Sequence, residues 1–177
     1  MTIELIKAGH IDDGSEFAPE VRALLNEAFP EGAPDELGTY YARHGIPTAT
    51  LLLAEGHHVV GHLAIFEREI RIGAEALRVG LLGEIAVAAN RKRLGMARRL
   101  VRSAHDHLQA RSIPFSILFA FEPRVYASSG YKLMQNEARF LDADGHWKIL
   151  VYRGGMVAEL SARRWPNQPI DLCGTAV

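Results

Sequence analysis

Ile85-Ala86-Val87-Ala88-Ala89-Asn90-Arg91-Lys92-Arg93-Leu94-Gly95-Met96-Ala97-Arg98-Arg99-Leu100 is the stretch whose reading decides the fold. Its apolar start reads as the end of a strand. From Ala97 the period changes: Ala97, Leu100, Val101, Ala104 and Leu108 fall at helical spacing. Between them lie Arg91, Lys92, Arg93, Arg98 and Arg99, with no acid among them. A helix N-terminus offers unpaired N–H groups and the positive end of the helix dipole. Anions bind there readily, and small residues at Gly95 and Ala97 let backbone approach one closely. The junction therefore reads as a pyrophosphate cradle flanked by Lys92, Arg93 and Arg98. The alternative is an ordinary helix start with a solvated basic face. It is not a P-loop, because no Gly-Lys-Ser/Thr ending is present, nor the dinucleotide fingerprint, because the glycine spacing differs.

Upstream, residues 2–7 alternate as a first strand. Phe17, Val21, Leu24, Leu25 and Ala28 predict a helix with Pro19 in its first turn. A second short helix is expected over 35–43. Residues 50–54, 59–72 and 77–87 read as an antiparallel meander. Gly80 and Gly83 in the last strand suggest a bulge or a close backbone approach. Downstream of the long helix, Ser112-Ile113-Pro114 leads into a buried strand, Phe115 to Phe119. A short helix is expected around 123–128, then strands near 131–141 and 148–152. The class is α/β with a mixed sheet. Strand 115–119 is expected to run parallel to 77–87, because a crossover helix joins them.

The 177 residues suffice for one domain spanning 1–177. Hydrophobic content of 48% and charged content of 23% fit a soluble globular chain. No apolar run approaches the length of a membrane span, and the N-terminus reads as a strand, so the expected location is cytoplasmic. A net charge of −1 gives no global attraction to nucleic acid. The single cysteine, Cys173, excludes internal disulfides and cysteine-rich metal sites.

The order of elements, together with two motifs, resembles the GNAT superfamily of N-acetyltransferases over nearly the whole chain. That family's cofactor motif, Arg/Gln-x-x-Gly-x-Gly/Ala, falls on Lys92, Gly95 and Ala97. A late motif of Tyr, Gly and an aromatic falls on Val125, Tyr126, Gly130 and Tyr131, about thirty residues downstream. Lys92 stands where Arg or Gln is usual, and Arg93 where glycine is common, which predicts a stiffer loop. Phe119 stands where many members keep an asparagine. The resemblance implies a GNAT fold: a mixed, mostly antiparallel central sheet with a splayed parallel pair, about 77–88 and 114–119, and flanking helices. It implies acetyl-CoA as co-substrate, held by Ile85, Ala86 and Val87 through their backbone and by Lys92, Arg93, Leu94, Gly95, Met96, Ala97 and Arg98. It implies direct attack by an amine, with the N–H of Ile85 or Val87 polarising the thioester carbonyl.

Two proton transfers need carriers. Tyr126 matches the family's leaving-group acid, and a phenol suits a departing thiolate; a buried aromatic is the alternative. Glu84 is the candidate base. Its apolar neighbours Leu81, Leu82 and Ile85 would raise its pKa. A pairing with Arg78 or another basic side chain, or a water chain carrying the proton, stands beside that reading. Glu122 reads as a helix N-terminal acid. His57, His58 and His62 do not converge as metal ligands, so no metal is expected. His105 and His107 are expected on the polar side of the long helix.

Glu31, Asp35, Glu36, Tyr40, Tyr41 and His44 fall where this fold builds its acceptor pocket. The pattern Leu77-Arg78…Glu84…Val87 with Tyr126–Gly130, and the tail Arg164-Trp165-Pro166…Ile170–Gly174, resemble aminoglycoside 2′-N-acetyltransferases. The tail also resembles nodulation N-acyltransferases. The expected acceptor is a small-molecule primary amine, such as an amino sugar, with no nucleic-acid or membrane partner. A homodimer is left open. A protein N-terminal or lysine acetyltransferase and a non-catalytic CoA-binding module are the alternatives.

Overall fold

A computed structural model of the chain describes residues 2–32 and 35–177. It divides into two compact units, Met1–Phe66 with Gly83–Ala104, and Glu67–Leu82 with His105–Val177. The boundaries cut three elements: β3 (His58–Ile72), β4 (Glu75–Val87) and α3 (Met96–Ala110).

The first unit pairs β1 (Glu4–Ala8) antiparallel with β2 (Ala49–Glu55), and β2 antiparallel with the first half of β3. Helix α1 (Ala18–Ala28) buries Ala18, Val21, Leu24 and Leu25, the face the sequence spacing predicts. Pro19 sits in its first turn, where a missing N–H costs nothing. Helix α2 (Leu37–Ala42) buries Leu37, Tyr40 and Tyr41. Leu51, Leu52, Leu53, Leu63 and Ile65 form this unit's core with Leu100 and Val101 of α3. A Cβ at Gly61 would press on Leu53 and Leu100 at 3.2 Å, so the glycine lets α3 lie close to β3.

The second unit contains the parallel pair expected from the crossover helix: Gly80 and Leu81 of β4 register with Ser116 and Ile117 of β5 (Phe115–Phe119). Gly80 is the close approach anticipated, since a Cβ there would collide with Leu108. Helix α4 (Arg124–Ala127) and strand β6 (Lys132–Leu133) follow. The single strand expected over 131–141 is instead β6 and β7 (Glu137–Leu141). Between them Asn136 is buried, donating to the carbonyls of Pro166 and Gln168 and accepting from the Trp165 indole. Strand β8 (Trp147–Val151) pairs antiparallel with β7.

Two further strands lie beyond the sequence reading. Buried β9 (Gly155–Glu159) pairs antiparallel with β5, and β10 (Ile170–Thr175) pairs parallel with β7. The segment read as a polar tail is thus a strand, with Cys173 exposed within it. The result is a mixed α/β fold with parallel pairs and flanking helices, the class read from the sequence. No helix among the described residues is long and apolar enough to cross a membrane.

Candidate active site

Strand β4 leaves its ladder at Val87, and a short 3-10 turn, Ala89–Arg91, leads to the basic loop. Two residues there occupy the left-handed region, Arg93 at φ 64° and Gly95 at φ 77°. Glycine adopts that conformation freely, whereas a side chain is strained by it. Arg93, where the sequence placed a side chain instead of a glycine, is thus strained at its own backbone. Helix α3 then begins, its first bond running from Arg99 N to Gly95 O at 2.9 Å. The N–H groups ahead of it are those a helix leaves for an outside acceptor.

The basic cluster sorts into two sets. Arg91 makes a bidentate pair with Glu55 at 3.0 and 2.8 Å, and Arg99 donates to the Ile3 carbonyl at 3.0 Å. Both are consumed by the fold. Lys92, Arg93 and Arg98 are exposed, with no protein hydrogen bond or ion pair among the described residues. They are the three cations the sequence assigned to an anion. Leu94 and Gly95 are exposed between them, Met96 and Ala97 half-buried.

Ahead of the loop, Glu84 is itself left-handed, at φ 54°. The irregularity suggested by Gly83 thus falls on the next residue. The Glu84 side chain is only 8% exposed, but its neighbours are not the apolar ones expected. The Tyr40 hydroxyl donates to Oε2, Arg43 donates to Oε1 at 3.1 Å, and His44 Nε2 lies 3.7 Å from Oε1. Its basic partner is thus Arg43; Arg78 pairs with Glu67. Burial, with the Glu84 charge beside it, raises the Tyr40 phenol above its ordinary value, so it stays a donor. The Glu84 carbonyl accepts from His62 Nδ1 at 2.7 Å, and His62 Nε2 is 2.7 Å from the Tyr41 hydroxyl. Ile85 and Val87 are half-buried and Ala86 is buried.

Tyr126 lies on α4, in the second unit. It is half-buried, its ring edge-on to Tyr131 at 6.2 Å, and burial raises its pKa. Its hydroxyl has no protein partner among the described residues. Tyr131 is the opposite case: fully engaged by Ser116 Oγ at 2.5 Å and His105 Nε2 at 3.1 Å. Of the motif's two phenols, Tyr131 is engaged by Ser116 and His105, and Tyr126 by no protein group among the described residues.

The remaining candidates separate. Glu122 is exposed just ahead of α4. His57 is exposed, His58 pairs with Glu20 at 3.3 Å, and His62 is buried. Among the described residues no group of three or more acidic, histidine or cysteine side chains is arranged to hold a metal. His105 and His107 are half-buried rather than solvated, facing Tyr131 and Glu67. Of the residues expected around the acceptor, Tyr40, Tyr41 and His44 gather around Glu84 and His62, whereas Glu31, Asp35 and Glu36 are exposed. The partners missed at the sequence level are Arg43 and His62. The signal for His62 was present: a polar ring within the apolar run Val59-Val60-Gly61-His62-Leu63-Ala64 needs buried hydrogen-bond partners.

The family profile Acetyltransferase (GNAT) domain matches residues 14–134. No curated protein matches the chain. Among solved structures, a GNAT family N-acetyltransferase from Escherichia coli in complex with CoA is similar, with a TM-score of 0.68 and 17% identity, over 97% of this chain and 91% of that one. A GNAT family acetyltransferase from Brucella melitensis in complex with acetyl-CoA gives a TM-score of 0.64 and 17% identity, over 96% and 94%. A probable N-acyltransferase from Enterococcus faecalis gives 0.64 and 15%, over 76% of this chain. The chain spans only 33% of the length of that last structure, and 32% and 34% of GCN5-related N-acetyltransferases from Anabaena variabilis and Kribbella flavida.

Proposed function

We propose, from the premise that this chain belongs to the GNAT acetyltransferase family, that it transfers an acetyl group from acetyl-CoA to a primary amine of a small molecule. The observation that carries the reading is the loop opening α3. It lies inside the matched span, has left-handed residues at 93 and 95, and presents Lys92, Arg93 and Arg98 exposed, without hydrogen-bond or ion-pair partners among the described residues. Its donor set fits a pyrophosphate: exposed cations beside the N–H groups of a helix start. Two neighbours of this fold carry CoA and acetyl-CoA, which supports the same donor here.

Acetyl-CoA, when bound, supplies an activated thioester carbonyl. Lys92, Arg93 and Arg98, with the backbone of Leu94 to Ala97, would hold its phosphates. The Ile85–Val87 backbone would hold the pantetheine arm, and the N–H of Ile85 or Val87 would face the developing oxyanion. A donor so placed contributes about 3–4 kcal/mol. Glu84 would take a proton from the acceptor ammonium onto a carboxylate oxygen, with Tyr40 and Arg43 fixing its geometry. Tyr126, whose buried phenol keeps its proton, would protonate the departing sulfur.

The acceptor is read as an amino sugar or a similar amine. The resemblance of the 164–174 segment to amino-sugar acyltransferases and the carboxylate and phenols around Glu84 support it. The test is thiol release from acetyl-CoA across an amino-sugar panel and a peptide panel, with thermal shift alongside. Release with amino sugars is expected. Release with peptides alone would move the assignment to proteins; no release and no thermal shift would overturn it.

A further inference from the structure

His62 is completely buried, within the apolar run 59–64 of β3. Both ring nitrogens are used. Nδ1 lies 2.7 Å from the Glu84 carbonyl oxygen, and a carbonyl can only accept, so Nδ1 carries the hydrogen. Burial holds the imidazole neutral, its pKa pushed down to about 4. In a neutral ring Nε2 must then be the lone pair, and the Tyr41 hydroxyl at 2.7 Å must donate to it. Tyr41 is equally buried, and burial raises its pKa, so it remains a donor. One tautomer is enforced from both sides.

That tautomer grips an unusual peptide. Glu84 is left-handed inside a strand, at φ 54°, a conformation that strains a residue with a Cβ. Such strain persists only where surroundings over-determine it. The peptide joining Glu84 to Ile85 is planar and trans, so its N–H points opposite to its carbonyl. Fixing the carbonyl on His62 therefore aims the Ile85 N–H the other way and sets the direction from which the Glu84 side chain leaves. Tyr40 and Arg43 then fix the carboxylate.

We infer that His62 is a positioning residue: held as the Nδ1–H tautomer by Tyr41, it orients the Glu84–Ile85 peptide, and with it the base and an oxyanion donor. The inference rests on the proposed acetyl transfer, since it gives that site its geometry. His62 itself exchanges no proton with substrate.

The test uses the full chain. Long-range 1H–15N NMR is expected to show a protonated Nδ1 and bare Nε2 for His62 from about pH 5.5 to about pH 8. Tyr41→Phe, which removes the donor to Nε2 and leaves the Glu84 carbonyl alone to hold Nδ1–H, should lower kcat about fivefold. His62→Phe keeps the ring but not the bond; kcat should fall about 100-fold, the loss of one aligned oxyanion donor, with CoA affinity within about twofold. His62→Gln, which restores an N–H donor, should recover about tenfold of that loss. An Nε2–H tautomer in the wild type, or equal losses in kcat and CoA affinity, would overturn the inference. Where His62→Phe fails to fold, the wild-type tautomer and Tyr41→Phe decide. If the wild type transfers acetyl to no amine, the catalytic role falls with the proposed function, while the NMR result still reports whether the peptide is gripped.

Discussion

The loop at 92–97 and the cluster around Glu84 are separated by a few residues of one strand end, yet they are built oppositely. The loop is largely exposed, and Lys92, Arg93 and Arg98 have no protein partner among the described residues. Glu84 is buried, and Tyr40, Arg43 and His62 claim its carboxylate and its carbonyl. Both contain left-handed residues. In the loop they stand on exposed backbone between Lys92 and Arg98; at Glu84 one is held down by side chains from other elements. A site that binds by charge and backbone must leave its donors unmet, whereas one that moves protons must have its groups aimed beforehand.

The comparison breaks if mutants of the two regions share a phenotype. The largest expected effect is Glu84→Gln, which should lower kcat about 10³-fold while leaving the Kd for CoA unchanged by calorimetry. A parallel loss of CoA affinity would make Glu84 part of the donor site. Tyr126→Phe should lower kcat about 100-fold at saturating acetyl-CoA, measured by thiol release; full activity would return Tyr126 to a packing role.

Gly95→Val tests the loop. Nothing lies within 4 Å of a Cβ at Gly95, so the cost is left-handed strain and not a clash. CoA affinity should fall about tenfold and stability by about 1–2 kcal/mol, with kcat at saturation little changed.

Acid should act on the buried interior first. His62 and His105 both titrate near 4 instead of 6.5, because burial disfavours the charged ring. Between those values the unfolded chain binds protons that the folded one refuses. Stability is therefore full above about 6.5 and lost as pH falls toward about 4. Urea unfolding at several pH values should show this slope, and His62→Phe should reduce it. An unchanged slope would place His62 in a solvated setting.

The smallest effect belongs to Arg93→Gly. Relief of its strained φ should raise stability by about 0.5 kcal/mol, while loss of the cation weakens CoA about threefold. A drop in stability would mean that the guanidinium has a structural partner.

Much of this was legible in the chain. The period change at Ala97, the small residues at 95 and 97 and the surrounding bases are local, so the basic helix start and the parallel β4–β5 pair followed from the sequence. Strands β9 and β10 did not, because each is short and gains its stability from a distant partner, β5 or β7. His62 could be read from the apolar run around it as a buried ring in need of partners, but not which partners, since these come from α2 and β4, 21 and 22 residues away.

The sequence by itself determined the α/β class, the family and the basic cluster at the helix start, since helix starts, charge clusters and strand periods are written in neighbouring residues. Only the tertiary structure decided which bases remain available, which tyrosine keeps an unengaged hydroxyl, and how Glu84 is aimed. Those outcomes depend on which side chains meet after folding. A buried hydrogen bond is made by whatever the packing brings within about 3 Å, and no local pattern records that.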